Sequence, residues 1–213
     1  MSEIKSKKPV KGIPFTFKLA IIALILASTL AYSIVQKRKI DSLTSSENNL
    51  ILKKLPEFSF PAVKGSENSK VVTSDNVFSS DYEAVLIHFW GTWCAPCEAE
   101  LPDFLNFVKY YKDKKVRAVL LAVQDDDIKI NKFLKRFGKL PDNVAVVHDK
   151  SGKSMLNFGT VKVPETYLFS KTGKNLNKYI GPQDWNHKSN KDRMDFYLNS
   201  LSTGQTSYKI ESH

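Results

Sequence analysis

Apolar positions fall into contrasting regimes along this chain. From Phe15 to Val35 the run FTFKLAIIALILASTLAYSIV is apolar apart from Lys18 and a few hydroxyls. About 20 helical residues cover the roughly 30 Å of a bilayer's hydrocarbon core, so residues 15–36 are expected to form one transmembrane helix, with Lys18 snorkelling at one end. A cleaved signal peptide is the other reading of this basic start and apolar centre. Apolarity that continues through Tyr32 to Val35 favours an uncleaved anchor. Residues 37–54 are polar and rich in Ser and Asn, and read as a tether.

Beyond the tether, strand-like and helix-like patterns alternate. EFSFPAV (Glu57 to Val63) and KVVT (Lys70 to Thr73) predict a short hairpin, with Pro61 marking an edge. AVLIHFW (Ala84 to Trp90) and RAVLLAV (Arg117 to Val123) are apolar almost throughout, as strands covered on both faces are. Between them Leu101, Phe104, Leu105, Val108 and Tyr111 recur at helical spacing, which predicts a helix from Ala95 to Lys114 with a kink at Pro102. Asp125 to Asp127 supply caps for a second helix stopped by Gly138. VAVVH (Val144 to His148), a helical piece near Met155 to Phe158, and ETYLF and LNKYI flanking a Thr172-Gly173 turn come next. A last helix is expected over Asn190 to Leu201, ahead of a loose polar tail at 203–213. Such an order implies an α/β sandwich around a mixed sheet.

Charge changes this picture little. The formal net charge of +10 comes from lysines spread through most of the chain and interleaved with Asp and Glu. That pattern excludes a basic nucleic-acid-binding face, so no nucleic acid is expected as a partner. The denser basic residues flank the apolar run, with Lys5, Lys7, Lys8 and Lys11 before it and Lys37, Arg38 and Lys39 after it. A basic tail at 1–14 is expected to stay in the cytoplasm, which places everything after the anchor outside, where thiols meet oxidising conditions.

Cysteine usage is the sharpest chemical signal. The chain has two cysteines, Cys94 and Cys97, in HFWGTWCAPCEAELP, where a buried strand turns into a helix. A helix start directs amide groups and the positive dipole end at the first thiol and favours its thiolate. The second thiol, one turn on, can resolve a mixed disulfide formed at the first. Structural zinc needs four ligands, whereas one Cys-x-x-Cys supplies two, and His88, His148, His187 and His213 lack ligand spacing. No metal is therefore expected. Two inert buried thiols remain the plain alternative.

The stretch FWGTWCAPC resembles the active-site signature of the thioredoxin fold. The longer WCAPCEAELP is similar to membrane-tethered thiol-disulfide oxidoreductases of the TlpA, ResA and CcmG (DsbE) group. Lys162-Val163-Pro164-Glu165-Thr166-Tyr167 matches the group's Val-Pro segment, and Gly181 to Trp185 (GPQDW) is also similar. The likeness spans residues 55–202. It implies a thioredoxin-like domain there, with a mixed central sheet flanked by helices and an extra amino-terminal hairpin. It also implies a redox disulfide between Cys94 and Cys97, Glu100 in proton transfer, and a cis Pro164 packed beside the disulfide.

On that resemblance Trp93, Ala95, Pro96, Val163 and Pro164 form the substrate surface, and no cofactor is needed. Partners would be protein disulfides or thiols, apocytochrome c among them, and a membrane thiol-electron transporter, with the catalytic domain facing the periplasm or cell exterior from the inner membrane. A reductant is the expected direction, with a periplasmic oxidase or isomerase as the alternative. His88 departs from the group's pattern and is either a group that tunes a neighbouring pKa or a hydrogen-bonded core residue. A copper chaperone would call for a Cys-x-x-x-Cys loop and a peroxiredoxin-like peroxidase for a Pro-x-x-x-Thr-x-x-Cys motif, and this chain has neither.

Overall fold

The computed structural model describes Ile21 and residues 24–36, 52–63, 71–78 and 82–203. The chain divides into two compact units, residues 1–51 and 52–213. In the first, residues 24–36 are helical, and the Ser28 and Thr29 hydroxyls donate back to the carbonyls of Ile25 and Leu26 at 2.8 and 2.9 Å. Among the described residues no helix is long and apolar enough to cross a membrane. The transmembrane helix expected over 15–36 is thus not seen at membrane length, because the described stretch 24–36 rises only about 20 Å. Residues 15–20, 22 and 23 of that expectation lie outside the described residues. So do the basic tail at 1–14, residues 37–51 of the tether and the tail from residue 204.

The second unit is built on a five-stranded sheet. Its strands are β3 (Ala84–Trp90), β4 (Val116–Val123), β5 (Val144–Asp149), β6 (Glu165–Ser170) and β7 (Asn175–Ile180), in the order β5-β4-β3-β6-β7. β3, β4 and β5 run parallel, whereas β6 is antiparallel to β3 and β7 to β6. The expected hairpin is present as β1 (Ser59–Pro61) and β2 (Val71–Thr73), with Phe60 opposite Val72. The helices are α1 (Ala95–Tyr110), α2 (Asp127–Leu134), α3 (Lys153–Phe158) and α4 (Lys188–Thr203).

Every residue of β3 is buried because its alternate side chains enter two different cores. Leu86 and Trp90 pack with Leu101, Phe104 and Val108 of α1 and Met194 of α4, whereas Val85, Ile87 and Phe89 pack with Phe158 and residues of the amino-terminal hairpin. One sheet face is therefore sealed by helices, and the other largely by the hairpin and α3. Residues 52–54, read from sequence as the end of the tether, belong to the folded unit. Lys53 accepts from the Asn175 N–H at 2.9 Å, Leu55 donates to Gly173 at 2.7 Å, and Leu52 packs against the second core.

Helix bounds differ from expectation for local reasons. Pro102 sits on the exposed side of α1 and the helix runs through it. α1 stops at Tyr110, four residues early, since Lys115 takes a left-handed φ of 59° and the buried Asn143 amide donates to the carbonyls of Val108 and Val116. α2 is capped by Asp126, which accepts from Ile128 and Lys129. After Leu134 it tightens into a 3-10 turn that ends at Gly138, whose φ is 65°. Connections at the carboxyl ends of the adjacent strands β3 and β4 thus lie side by side, and the two cysteines follow the central one.

Candidate active site

Trp90 ends β3 inside the core, and the chain then turns sharply into α1. Gly91 leaves room for Trp93, since a Cβ there would lie 2.6 Å from Nε1 of the indole, which folds back to donate to the Val123 carbonyl at 3.1 Å. The turn is tied down a second time by Asp125, in the β4–α2 connection. Its carboxylate accepts from the Thr92 amide at 2.6 Å and from the Thr92 hydroxyl at 2.8 Å. Two neighbouring loops are therefore fastened together immediately before Cys94.

Cys94 is the N-cap of α1, in extended backbone, and its Sγ accepts from the Cys97 amide at 3.3 Å. The two residues are joined by a disulfide with their Cα atoms 5.3 Å apart. Pro96 occupies the first turn, where no intrahelical amide bond is lost. Around the pair, Trp93, Ala95 and Pro96 are exposed and Cys97 is fully buried. Cys94 itself is only 5% exposed, so Trp93, Ala95 and Pro96 flank a nearly covered sulfur, with Cys97 fully enclosed.

The Val163–Pro164 bond is cis. Val163 is half-buried and packs against the core cluster that contains both cysteines, and the buried Pro164 accepts from the Gly181 amide at 3.0 Å. Beneath, Glu165 is buried at the start of β6 and pairs with Lys178 at 3.0 Å, which fixes the strand on the side away from the disulfide.

Glu100 lies three residues after Cys97, one turn further into α1, and is only 7% exposed. Its Oε2 accepts from the Gln183 amide at 2.6 Å, and its Oε1 stands 3.7 Å from Nε2 of His88. Burial raises the carboxyl from 4.5 to about 7, against the lowering influence of the Gln183 N–H and of the Trp185 indole, which points toward it without reaching hydrogen-bond geometry. His88 is fully buried in β3, stacked on Phe104 at 4.5 Å, with Nδ1 2.8 Å from the Thr166 hydroxyl. Burial lowers its pKa from 6.5 to about 3, so the ring is neutral at physiological pH.

Of the side chains singled out from sequence, Cys94 and Cys97 form the disulfide, and Trp93, Ala95 and Pro96 are its chain neighbours. Glu100 lies one turn beyond Cys97 with His88 3.7 Å from its carboxyl, and Val163, before the cis bond to Pro164, packs against the core cluster that contains both cysteines. Thr92, Asp125, Thr166 and Gln183 were not found from sequence, because their contribution depends on contacts between segments far apart in the chain. The GPQDW run carried a signal for Gln183 and Trp185, but not for the carboxylate they face. Among the described residues, no group of three or more His, Cys, Asp or Glu could hold a metal ion.

Comparison with known proteins bears on the family and the fold. The Redoxin family model matches residues 53–194. ResA, a thiol-disulfide oxidoreductase of Bacillus thuringiensis subsp. konkukian, is 30% identical over 183 residues, covering 85% of this chain and 94% of that protein. ResA of Oceanobacillus iheyensis is 26% identical over 94% of this chain and 95% of its own length. Among solved structures, a Chlorobium tepidum protein described as a DsbE thiol:disulfide interchange protein superposes with a TM-score of 0.58. It is 22% identical, covers 70% of this chain and 99% of its own, and shares the thioredoxin-like fold.

Proposed function

The chain belongs to the Redoxin family, and from that premise we propose that this thiol-disulfide oxidoreductase works as a reductant of protein disulfides outside the cytoplasm. The observation that carries the reading is the Cys94–Cys97 pair itself, with one sulfur capping α1 among exposed residues and the other sealed behind it beside a buried carboxyl. In the reduced protein the Cys94 thiolate attacks a substrate disulfide. That S–S bond breaks, a mixed disulfide forms, and one substrate thiolate leaves.

Cys97 then gives its proton to the Glu100 carboxylate and attacks Cys94 Sγ, which expels the second substrate thiolate and leaves Cys94 and Cys97 oxidised. A carboxyl with a pKa of about 7 is suited to take up and release a proton near neutrality. Trp93, Ala95, Pro96, Val163 and Pro164 receive the substrate's cysteine segment. His88 acts on the pair only through Glu100.

Residues 15–36 anchor the protein in the inner membrane, with residues 1–14 in the cytoplasm, 37–51 as tether and the thioredoxin-like domain outside. The length and apolarity of FTFKLAIIALILASTLAYSIV support this arrangement. A membrane thiol-electron transporter returns the pair to dithiol after each cycle, and apocytochrome c cysteines before haem attachment are the proposed substrate class.

The reduction potential of the Cys94–Cys97 couple tests the direction of electron flow. A value near or below the roughly −270 mV of thioredoxin is expected. One near the roughly −120 mV of DsbA would make the protein an oxidant instead.

A further inference from the structure

Among the buried polar atoms without a hydrogen-bond partner in their present positions are Glu100 Oε1 and His88 Nε2, with Trp185 Nε1 nearby. The first two face each other at 3.7 Å. That separation exceeds a hydrogen bond and is too short to admit a bridging water, but a small rotation of the carboxyl closes it. The other end of each group is fixed. Glu100 Oε2 accepts from the Gln183 N–H, and a backbone amide can only donate, so the hydrogen of a neutral Glu100 belongs on Oε1. His88 Nδ1 meets the Thr166 hydroxyl, which can donate or accept.

The ring itself cannot turn away, being stacked on Phe104 and fully buried. A neutral imidazole has one hydrogen and one lone pair to distribute over two nitrogens. We propose that His88 is a tautomer switch that follows Glu100: the ring hydrogen sits on Nδ1 while the carboxyl is protonated and on Nε2 once the carboxylate forms.

In the first state Oε1–H donates to the Nε2 lone pair, and Nδ1–H donates to Thr166. In the second Nε2–H donates to the carboxylate, and the Thr166 hydroxyl turns to donate to Nδ1. The trio releases one proton between them: Oε1 loses its hydrogen, the ring exchanges one N–H for the other, and the hydroxyl keeps its own. His88 is thereby a positioning residue that satisfies both forms of Glu100 without ever becoming charged.

Of the remaining groups, the Trp185 indole N–H also points toward the Glu100 carboxyl without hydrogen-bond geometry; it can only donate, so it favours the carboxylate and cannot accept from a protonated Oε1. Cys97 is on the same helix, Trp185 and Asp184 are in the loop before α4, and Asp184 is turned to the amides of Asn186 and His187. Tyr179 of β7 packs against Trp185 with the rings tilted at 54°, and Arg193 of α4 lies over the Tyr179 ring at 5.5 Å. None of these contacts meets Oε1 or Nε2.

The idea rests on Glu100 as the proton acceptor of Cys97, but its test needs no turnover, so the two can fail separately. Full-length oxidised protein carrying 15N-histidine and 13C-glutamate is titrated by NMR, with Glu100→Gln used to assign the carboxyl signal. His88 is expected to show Nδ1–H below the Glu100 midpoint and Nε2–H above it, and to hold one tautomer at all pH values in Glu100→Gln. His88→Phe, which keeps the stacking on Phe104, is expected to strengthen proton binding at Glu100 about tenfold by leaving its anion unpartnered. His88→Gln, which restores a polar end of similar reach, is expected to bring the midpoint back. A single tautomer across the whole titration of the unsubstituted protein would overturn the proposal whether or not the variants fold. An unmoved midpoint in a folded His88→Phe protein would do the same.

Discussion

Cys94 and Cys97 are chemically identical residues whose roles separate through what surrounds them. Cys94 caps a helix and keeps 5% of its surface exposed among exposed Trp93, Ala95 and Pro96, the side from which a substrate sulfur reaches it, whereas Cys97 is fully enclosed with Glu100 one turn on. Cys97→Ser is therefore expected to retain attack on a substrate disulfide and accumulate the mixed disulfide, because nothing resolves it. Cys94→Ser is expected to form no adduct. Mass spectrometry after incubation with a peptide disulfide reads both variants directly, and an adduct on Cys94→Ser with none on Cys97→Ser would reverse the assignment. At this scale the sequence was highly informative, since the spacing of the cysteines and of Glu100 requires only a helix to become geometry.

At the scale of elements, the active turn depends on a neighbour that the pattern did not reveal. Asp125 had been read as part of a helix cap, but Asp126 caps α2 and Asp125 reaches back across the sheet end to both polar groups of Thr92. Asp125→Ala should cost about 1–3 kcal/mol, because the Thr92 amide and hydroxyl and the Asp126 amide all lose their charged acceptor. It should also slow disulfide exchange, since the turn before Cys94 loses its anchor. Asp126→Ala should cost about 1 kcal/mol as a lost N-cap and leave exchange unchanged. Denaturant unfolding beside exchange kinetics distinguishes the two, and an equal loss of exchange rate in both variants would show that Asp125 acts only through α2. The capping signal in Asp125-Asp126-Asp127 was legible, but which carboxylate serves which loop was not, because Thr92 is 33 residues away.

At the scale of the whole molecule, the buried Glu100 and His88 make opposing contributions to the pH dependence of stability on the acid side of neutrality, alongside the lowered Asp127, Asp142 and Asp149. Glu100 is raised from 4.5 to about 7 on folding, so its proton contributes stability that is complete below pH 4.5 and is lost as pH rises to about 7. His88 is lowered from 6.5 to about 3, so its contribution is complete above pH 6.5 and is lost as pH falls toward 3. Between pH 4.5 and 6.5 the two slopes oppose, which flattens the profile of the native protein. Relative to it, Glu100→Gln should gain stability progressively from pH 4.5 to 7, by about 3 kcal/mol at the top of the range. His88→Phe should gain as pH falls below 6.5. Chemical denaturation of the oxidised proteins from pH 4 to pH 8 measures both differences, and profiles parallel to that of the unsubstituted protein would remove these two groups as its origin.

Sequence alone determined the local features of this protein: the strands AVLIHFW and VAVVH, the amphipathic helix behind the cysteines, the hairpin at Thr172-Gly173 and the redox character of Cys-x-x-Cys. Each depends on residues close together in the chain, where periodicity and side-chain chemistry act directly. Tertiary structure decided the rest. It ended α1 at Tyr110 through Asn143, fastened residues 52–55 to the β6–β7 hairpin, and tied Thr92 to Asp125. It also enclosed Glu100 with His88, Thr166 and Gln183, drawn from β3, β6 and the loop after β7. The physical reason is desolvation. A carboxyl and an imidazole acquire pKa values near 7 and 3 only when several distant segments together exclude water from them, and no short stretch of sequence contains that enclosure.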